Sequence, residues 1–557
     1  MESIEKHFDI AFAAPNGIKK LRELILTLAM QGKLVPQDPN DQPASELLKE
    51  IEAEKRRLVK EKKIKEPKPL PDINPEEVPY ALPESWEWVR LGEIGITQTG
   101  TTPRSGDNSS YGNEYPFIKP ADIKFSGVNY ENEGLSETGL QKYGRVACAG
   151  SSLMVCIGTI GKTNLIEKDC SFNQQINSLT PYNPIDSYYV QMFLRSPYFQ
   201  KEEWNRSSST TIAILNKGRW ESIPIALPPV SEQHRIVAKI DQLMARCDEL
   251  EKLRAEREQK RLTVHISALN SLLEAQEPDS FAAVWHFINR HFGELYSVKE
   301  NVTELRKAIL QLAVMGKLVP QDPNDQPARE ILKEIEAEKR RLVKEGKIKP
   351  QKPLPEIKPE EMSYELPKGW VWVRLNEVFD VRDGTHDTPK YVEVGYPLIT
   401  SKNLYTGRLS FEDVKYISEA DHLKIIERSK VDLGDILFAM IGSIGNPVIV
   451  DNIQEFSIKN VALFKFYKTN TPDNRFLHYF LLNVQRGMKE KSSGAVQSFV
   501  SLGFLRQYLF PLPPLGEQQR IVAKIDQFMA LCDQLEQQID ATACKQSAVL
   551  NAVMANI

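Results

Sequence analysis

The segment GTIGKT, at residues 158–163, is the one that most resembles a known ligand-binding motif. A glycine-rich segment that ends in Lys-Thr is typical of a loop that holds nucleotide phosphates. The full pattern needs another glycine at position 156, where this chain has Cys156. A related segment, GSIGNP at residues 442–447, has Asn446 in place of the lysine. We therefore interpret the two segments as paired tight turns and not as nucleotide sites.

Other catalytic patterns are incomplete as well. The segment ADIK at residues 121–124 contains the D-x-K of metal-dependent nucleases, but no partnered upstream acid stands out. Methyl transfer to a base amino group needs Asn/Asp-Pro-Pro-aromatic, whereas the Pro-Pro pairs at 228–229 and 513–514 follow leucine and precede aliphatic residues. Neither a Ser-His-Asp nor an H-E-x-x-H spacing occurs. The sequence predicts a non-catalytic chain with no metal site and no cofactor of its own.

Composition narrows the class of protein without fixing it. The 557 residues include 71 Lys and Arg against 75 Asp and Glu, a formal charge of −4, so no overall basic field indicates nucleic acid. A local patch or a partner subunit can still supply phosphate contacts. The six cysteines form no C-x-x-C pair, which argues against structural zinc and favours a reduced, cytoplasmic setting. The charged N-terminus and the lack of long apolar runs predict neither a signal peptide nor a membrane span.

A long internal duplication determines the architecture. The peptide GKLVPQDPNDQPA occurs at residues 32–44 and again, unchanged, at residues 316–328. A second block, PPVSEQHRIVAKIDQLMARCDELE from Pro228, returns as PPLGEQQRIVAKIDQFMALCDQLE from Pro513. The segments between the blocks differ, and their short apolar runs separated by polar turns are typical of β-rich domains. The sequence therefore predicts two copies of one plan that carry two unlike domains.

These features predict an α+β fold of two pseudo-repeated halves, each with a β-rich α/β domain and long duplicated helices. Six segments follow: an N-terminal helical region (1–94), variable domain 1 (95–227), a central coiled-coil helix (228–275), the second copy of the helical region (276–378), variable domain 2 (379–512) and a C-terminal coiled-coil helix (513–557).

The second duplicated block has the apolar spacing of a coiled-coil seam. Its apolar residues alternate at four and three positions, a period of about 3.5 residues. The sequence thus predicts that the two helices pair as an antiparallel coiled coil, with the cysteines as small apolar fillers. Alternatively, each helix is an ordinary amphipathic helix that packs on its own domain. The seam residues are Ile236, Ile240, Leu243, Cys247 and Leu250 in the first copy, and Ile521, Ile525, Phe528, Cys532, Leu535 and Ile539 in the second.

The first duplicated block is predicted to be helical on both sides of the repeated peptide. Pro36, Pro39 and Pro43 break and restart the helices, so the peptide is a joint that we expect to contact protein and not DNA. The basic run at residues 55–63 is either a solvated helix face or, less simply, a phosphate or partner contact.

The order of these segments, which occurs twice, resembles the specificity subunit of type I restriction–modification enzymes, in its larger branch with long N-terminal helical extensions. The resemblance covers essentially the whole chain. It rests on LPESWEWVRLGEI and LPKGWVWVRLNEV, YPFIKPADI and YPLITSKNL, IGTIG and IGSIG, PPVSEQHRIVAKID and PPLGEQQRIVAKID, and DGTHDTPKY at residues 383–391. In the first copy, QTGTTPRSGD departs from the DGTH form.

The resemblance implies that each variable domain is a target-recognition domain for one half of a bipartite, asymmetric site in double-stranded DNA. The helices set the gap between the halves and dock two adenine methyltransferase subunits. Two motor-endonuclease subunits join for cleavage. S-adenosylmethionine, ATP and Mg²⁺ are then expected in the partner subunits and not in this chain.

Base edges are read by polar side chains in loops, so we select candidate DNA contacts from the polar loops. Each is equally compatible with a solvated loop or a turn former. In domain 1 the candidates are Thr99, Thr101, Thr102, Arg104, Lys119, Asp122, Lys124, Lys162, Gln174, Gln175, Ser208, Ser209, Thr210 and Thr211. In domain 2 they are Arg382, Asp383, Thr385, His386, Ser401, Lys402, Asn403, Asn446, Lys459, Asn460, Ser492, Ser493 and Gln497.

Two other classes of function remain open at this stage. A structural scaffold whose variable domains bind proteins would show no DNA selectivity. A fused two-domain hydrolase or methyltransferase would be active as an isolated chain, which the incomplete motifs argue against.

Overall fold

The computed structural model describes residues 8–104, 106–208, 212–275, 277–452, 454–468, 471–491 and 499–555. The chain divides into two units. Unit 1 comprises Met1–Arg257 and Thr542–Ile557, and unit 2 comprises Glu258–Ala541. Each long helix of the chain therefore begins in one unit and ends in the other.

The helices that begin in unit 1 are Phe8–Ala13, Gly17–Met30, Ala44–Lys60, Glu137–Tyr143, Ser187–Leu194, Pro197–Asn205, Lys217–Glu221 and the first long helix, Val230–Glu274, with 3-10 turns at Pro75–Glu77, Leu91–Glu93 and Asn108–Ser110. Its strands are β1 (Glu87–Arg90), β2 (Gly95–Thr99), β3 (Tyr111–Ile118), β4 (Ile123–Lys124), β5 (Gly127–Val128), β6 (Gly134–Leu135), β7 (Val146–Ala147), β8 (Ser152–Val155), β9 (Thr163–Leu165), β10 (Cys170–Phe172), β11 (Ile176–Pro181) and β12 (Pro224–Leu227).

The helices that begin in unit 2 are Pro278–Arg290, Phe292–Leu295, Lys299–Val314, Ala328–Lys344, Leu375–Val378, Glu419–Ser429, Asn474–Lys491, Leu502–Gln507 and the second long helix, Leu515–Ala555, with 3-10 turns at Pro359–Glu361 and Ser401–Leu404. Its strands are β13 (Val371–Arg374), β14 (Phe379–Asp383), β15 (Tyr391–Val392), β16 (Tyr396–Ile399), β17 (Lys415–Ile417), β18 (Ile436–Ala439), β19 (Gly445–Ile449), β20 (Ser457–Ile458), β21 (Val461–Phe466) and β22 (Leu509–Leu512).

Each variable domain contains two four-stranded sheets. In unit 1 their strand orders are β2-β11-β8-β9 and β6-β3-β10-β7, and in unit 2 they are β14-β21-β18-β19 and β15-β17-β16-β20. A separate antiparallel pair closes each domain at its ends: β1 pairs with β12, and β13 pairs with β22. The strand before each domain is thus joined to the strand that ends it.

The apolar runs LMV in β8 (residues 153–155) and ILFA in β18 (residues 436–439) have the same structural cause. In β8, Leu153 and Val155 belong to one apolar cluster, while Met154 belongs to the cluster shared with the helices. In β18, Leu437 and Phe438 are divided in the same way. Because alternate side chains point to opposite faces, a strand covered on both faces has apolar residues at successive positions.

The basic run of the N-terminal region forms ion pairs along one helix. Lys55 and Arg56 pair with Glu52, and Arg57 pairs with Glu54 one turn away. The buried residues of this helix are Ala44, Leu47 and Ile51. The pattern is that of an amphipathic helix with a solvated charged face, which agrees with the simpler of the two interpretations.

The core of unit 1 buries four of the five predicted seam residues of the first long helix: Ile236, Ile240, Leu243 and Cys247. The fifth, Leu250, is partly buried there. In unit 2, Ile521, Ile525 and Cys532 are buried, and Phe528, Leu535 and Ile539 pack against the same core. The two-copy α+β fold class is confirmed. The coiled-coil pairing of the long helices and the six segment boundaries stay predictions.

Candidate nucleic-acid interface

The end of the first strand of each domain starts a group of loops. Immediately after β2, Gly100 donates its N–H to Ile176 at 3.0 Å and passes so close to Asn173 that a Cβ would lie 2.1 Å from the carbonyl oxygen. After β14, a Cβ on Gly384 would lie 2.1 Å from the oxygen of Ile458. Only glycine permits these close approaches, which bring the first loop against the loop before the neighbouring strand of the sheet, β11 in unit 1 and β21 in unit 2.

In unit 1, hydrogen bonds connect five loops into one surface, which we call loop surface 1 (residues 100–104, 119–124, 156–162, 173–175, and 208 with 212–215). Lys162 Nζ donates to the oxygen of Pro120 at 2.8 Å. The N–H of Cys156 donates to Gln175 O at 2.8 Å, and that of Gly158 donates to Ala213 O at 2.9 Å. The described candidates of domain 1 therefore lie in these loops or, for Thr99, at the end of β2, although they are spread along the sequence from residue 99 to residue 208.

Several candidates in loop surface 1 use their side chains to hold the loops together. The hydroxyl of Thr99 donates to Asn177 Oδ1 at 2.7 Å. Thr102 donates to Gln174 Oε1, and Thr101 donates to the carbonyl oxygen of Tyr143. The hydroxyl of Ser208 donates to Ile214 O at 3.2 Å. These hydrogen bonds position the surface. The side chains of the following candidates are exposed: Arg104, Lys124, Gln174 and Ser208.

The remaining candidates of domain 1 are partly or wholly covered. Lys119 is ion-paired with Glu133, and Gln175 accepts a hydrogen bond from the Asn173 side chain at 3.3 Å. Asp122 is buried, and its carboxylate accepts the N–H of Lys119 at 2.8 Å. Ser209, Thr210 and Thr211 lie outside the described residues.

Unit 2 contains a corresponding loop surface 2 (residues 383–388, 399–403, 440–446, 458–460 and 499–500). The N–H of Lys459 donates to Ile399 O at 2.9 Å, and the hydroxyl of Ser401 donates to Ile441 O at 3.0 Å. The N–H of Asn460 donates to Thr385 O at 3.2 Å. The two domains therefore share the arrangement of their loops but present different side chains.

A polar network lies at the centre of loop surface 2. Asp383 is buried, and its Oδ2 lies 2.9 Å from Nε2 of the exposed His386. Arg428 donates to the other carboxylate oxygen. The second ring nitrogen of His386, Nδ1, lies 3.1 Å from Oδ1 of Asn460. Both ring nitrogens are thus engaged by oxygens of the protein, so the ring has few orientations.

The other candidates of domain 2 differ in exposure. Lys402 is exposed, Lys459 donates to the hydroxyl of Thr388, and Arg382 pairs with Asp380 at 2.6 Å. Asn403 is buried and accepts the N–H of Thr400 at 3.0 Å, so it closes the same turn as Asp122 in domain 1. The backbone N–H of Asn446, which has a φ of 50°, donates to Gln485 at 2.8 Å. Ser492, Ser493 and Gln497 lie outside the described residues.

Sequence patterns missed two kinds of residue at these surfaces. Phe125 and Tyr405 follow the Asp122 and Asn403 turns and are 79% and 72% exposed. Arg145 donates to the oxygen of Thr99 at 2.8 Å, and Arg428 binds Asp383, which occupies the equivalent strand end. Aromatic residues are normally expected in a core, and neither arginine belongs to a motif, so no local pattern identifies these residues.

Each loop surface belongs to a domain that is tied to the start of a long helix. We call the first of these ties joint 1, and it consists of three contacts. Trp86 Nε1 and Gln37 Nε2 donate to the carboxylate of Glu232 at 2.9 and 2.5 Å. The N–H of Asp186 donates to Gln233 at 2.9 Å, and Arg235 binds both carboxylate oxygens of Asp41 at 2.6 and 3.2 Å. Burial raises the pKa of Glu232, and the hydrogen bonds from Trp86 and Gln37 oppose that rise.

Joint 2 has the same hydrogen bonds in unit 2. Trp370 and Gln321 donate to Glu517 at 2.9 and 2.6 Å. The N–H of Asp473 donates to Gln518 at 2.8 Å, and Arg520 binds both carboxylate oxygens of Asp325 at 2.5 and 3.2 Å. The repeated peptide supplies Gln37 and Asp41 in one copy and Gln321 and Asp325 in the other. Its prediction as a joint between helices is confirmed, because helices end at Met30 and begin at Ala44.

Among the described residues, no cluster of three or more His, Cys, Asp or Glu side chains is arranged to hold a metal ion. None of the described helices is both long and apolar enough to cross a bilayer.

The domain architecture described above matches a known family. Its profile, the type I restriction modification DNA specificity domain, matches residues 83–258 and again residues 367–543. The EcoAI type I restriction enzyme specificity subunit of Escherichia coli is 36% identical, over 93% of this chain and 90% of that protein. The EcoEI specificity subunit, also from E. coli, is 32% identical over 96% and 93%. A solved chain of a type I R-M system covers 86% of this chain and 98% of its own length at 18% identity, with a TM-score of 0.49.

Two β-rich domains, each with a converging polar loop surface and each bracketed by duplicated helices, define an internally repeated recognition protein. The chain belongs to the family of type I restriction–modification specificity subunits. Subunits of this kind select the DNA sequence for the enzyme and perform no catalysis themselves.

Proposed function

We propose that loop surface 1 and loop surface 2 each bind one half of a split, asymmetric sequence in double-stranded DNA. The observation that carries the proposal is that the two surfaces have the same loop arrangement and different side chains. The same arrangement suits two similar DNA segments, and the different side chains suit two different sequences.

The chemistry of the exposed side chains supports reading in the major groove. There each base pair presents a distinct pattern of donors and acceptors, which arginine, lysine, glutamine, asparagine and histidine can match. In domain 1 we propose Gln174 and Arg104 as candidates for base contact, and in domain 2 His386 and Asn460. Exposed Lys124 and Lys402 are candidates for phosphate contact, which positions the protein without reading the sequence.

The chain acts as one subunit of a larger complex. We propose that it docks two adenine methyltransferase subunits, which carry S-adenosylmethionine, and that two motor-endonuclease subunits with ATP and Mg²⁺ join for cleavage. With a formal charge of −4, the chain itself offers limited electrostatic attraction to DNA, so the partner subunits supply much of the phosphate neutralisation.

Mapping of methylated adenines in cells that express this chain with its methyltransferase partner tests the proposal. The expected result is one split motif with two unlike halves and a fixed gap. A protein-binding scaffold instead leaves adenine methylation without sequence selectivity, and that result contradicts the proposal.

A further inference from the structure

Joints 1 and 2 use the same residue types and equivalent atoms, although the domains that they hold are unlike. Glu232 and Glu517 each accept one tryptophan and one glutamine donor, and Arg235 and Arg520 each bind an aspartate through two nitrogens. Glu232 and Glu517 are buried. Breaking a buried hydrogen bond of a charged group is costly, so each joint resists deformation.

Each joint connects three parts of its unit. Near the start of the long helix, Glu232 binds the segment before the domain, Arg235 binds the repeated peptide, and Gln233 binds the domain itself through Asp186. Asp186 also accepts the N–H groups of Tyr188 and Tyr189 and so caps the helix Ser187–Leu194 of the domain. The helix that runs through the domain is therefore tied directly to the long helix.

Unit 2 repeats this connection. Asp473 donates its N–H to Gln518 and accepts the N–H groups of Arg475 and Phe476 at 2.8 and 3.2 Å, at the start of the helix Asn474–Lys491. The side-chain nitrogen of Gln518 donates to Pro513 O at 2.8 Å, as Gln233 does to Pro228 O at 2.9 Å. The side-chain amide of each glutamine is thereby fixed at both ends.

We propose that each joint sets the angle of its target-recognition domain on the long helix, and that this angle determines how strictly the gap between the two half-sites is enforced. Gln37, Asp41, Glu232, Gln233 and Arg235, with their unit 2 counterparts, are positioning residues in this account. The inference rests on the proposed reading of a split site.

The two properties are separable because the joints share no residue with the loop surfaces. A weakened joint lets the domain adopt several angles while its loops keep their hydrogen bonds. Sites whose gap is one base pair too long or too short then become acceptable, and the sequence of each half-site stays the same. A loss of packing elsewhere lowers stability without this change in gap selectivity.

The test uses the complex of the full chain with its methyltransferase partner and three duplexes with the natural half-sites: the natural gap, one base pair longer and one base pair shorter. Asp41→Arg and Arg235→Asp are made singly and together, and Arg235→Lys serves as the conservative variant that loses the two-point contact. Tyr80→Phe is the matched control, because it removes a partly buried hydroxyl that donates to Met30 O at 2.9 Å, outside the joint. Methylation rates and unfolding midpoints are measured for each.

Each single substitution in the joint is expected to reduce the preference for the natural gap by about tenfold, the effect of losing one charge-assisted pair. The double variant restores the preference, and Tyr80→Phe leaves it unchanged at a comparable unfolding midpoint. The inference is overturned if Arg235→Lys, Asp41→Arg and Arg235→Asp all leave the gap preference unchanged. It is also overturned if Tyr80→Phe loses as much gap preference as these variants do. Absence of sequence-selective methylation by the unaltered complex instead contradicts the proposed function.

Discussion

His386 Nε2 lies 2.9 Å from Oδ2 of Asp383, a buried carboxylate at the end of strand β14. Asp383, which is buried in the domain, orients the imidazole of His386. The ring itself is exposed on loop surface 2. Asn460 holds the other ring nitrogen at 3.1 Å, so a base that His386 contacts replaces this hydrogen bond, and removal of the ring should affect one half of the DNA site.

We expect His386→Ala to lose discrimination at a base pair of the second half-site, by about 1–3 kcal/mol, with the first half-site unaffected. Asp383→Asn should have a smaller effect at the same base pair, because the ring remains but its orientation is less constrained. Binding of the methyltransferase complex to duplexes with single base changes in either half measures both. Glu393→Gln, an exposed substitution in the same domain, is the control. Loss of discrimination in the first half contradicts the assignment.

Lys402 is exposed on loop surface 2 and is expected to contact a phosphate. Lys402→Gln should weaken binding of all sequences similarly and should reduce the slope of log affinity against log salt by about 1. Lys49→Gln removes the same charge from the helix Ala44–Lys60, outside the loop surfaces, where Lys49 pairs with Glu46. This substitution should leave the slope unchanged. Equal slopes for Lys402→Gln and the unaltered chain rule out the phosphate contact.

Glu77 anchors the segment before domain 1. Its carboxylate accepts hydrogen bonds from Arg90 at 2.8 and 2.9 Å and from Arg206 at 3.1 Å, and the Arg90 bonds are the main cause that lowers the pKa of Glu77 to about 2. A lowered folded-state pKa stabilises the fold above the ordinary glutamate pKa, and this stability is lost as the pH falls towards the folded value.

Glu77→Gln should therefore lower the free energy of unfolding at neutral pH by about 1–3 kcal/mol, and it should flatten the decline between about pH 5 and pH 2. Urea unfolding at several pH values, followed by tryptophan fluorescence, provides the measurement. The exposed neighbour substitution Glu76→Gln is the matched control. The prediction fails where Glu77→Gln and Glu76→Gln give the same pH dependence.

The duplicated helical regions of the molecule could be predicted from the sequence because they are repeated. Two copies of one peptide and two copies of one helical block indicate the two-copy plan, and the short apolar runs between polar turns indicate β-rich domains. Contacts between distant segments could not be predicted. Glu232 and Trp86 are 146 positions apart, and nothing in either local pattern identifies the other as its partner.

The loop surfaces were predicted as regions, but the role of each side chain was not. Asp122 and Gln174 are both polar residues in predicted loops, yet Asp122 is buried in a turn and Gln174 is exposed. Aspartate and asparagine favour turns because their side chains accept backbone N–H groups, and they also suit base edges. Only the fold separates the two roles.

Exchange of one domain between family members shows whether each domain reads one half of the site. Residues 95–227 are replaced by the corresponding domain of another member of the family, and methylated adenines are mapped in cells that express the hybrid with its methyltransferase partner. The expected motif has one new half, while the other half and the gap are retained. A motif in which both halves change, or neither does, contradicts it.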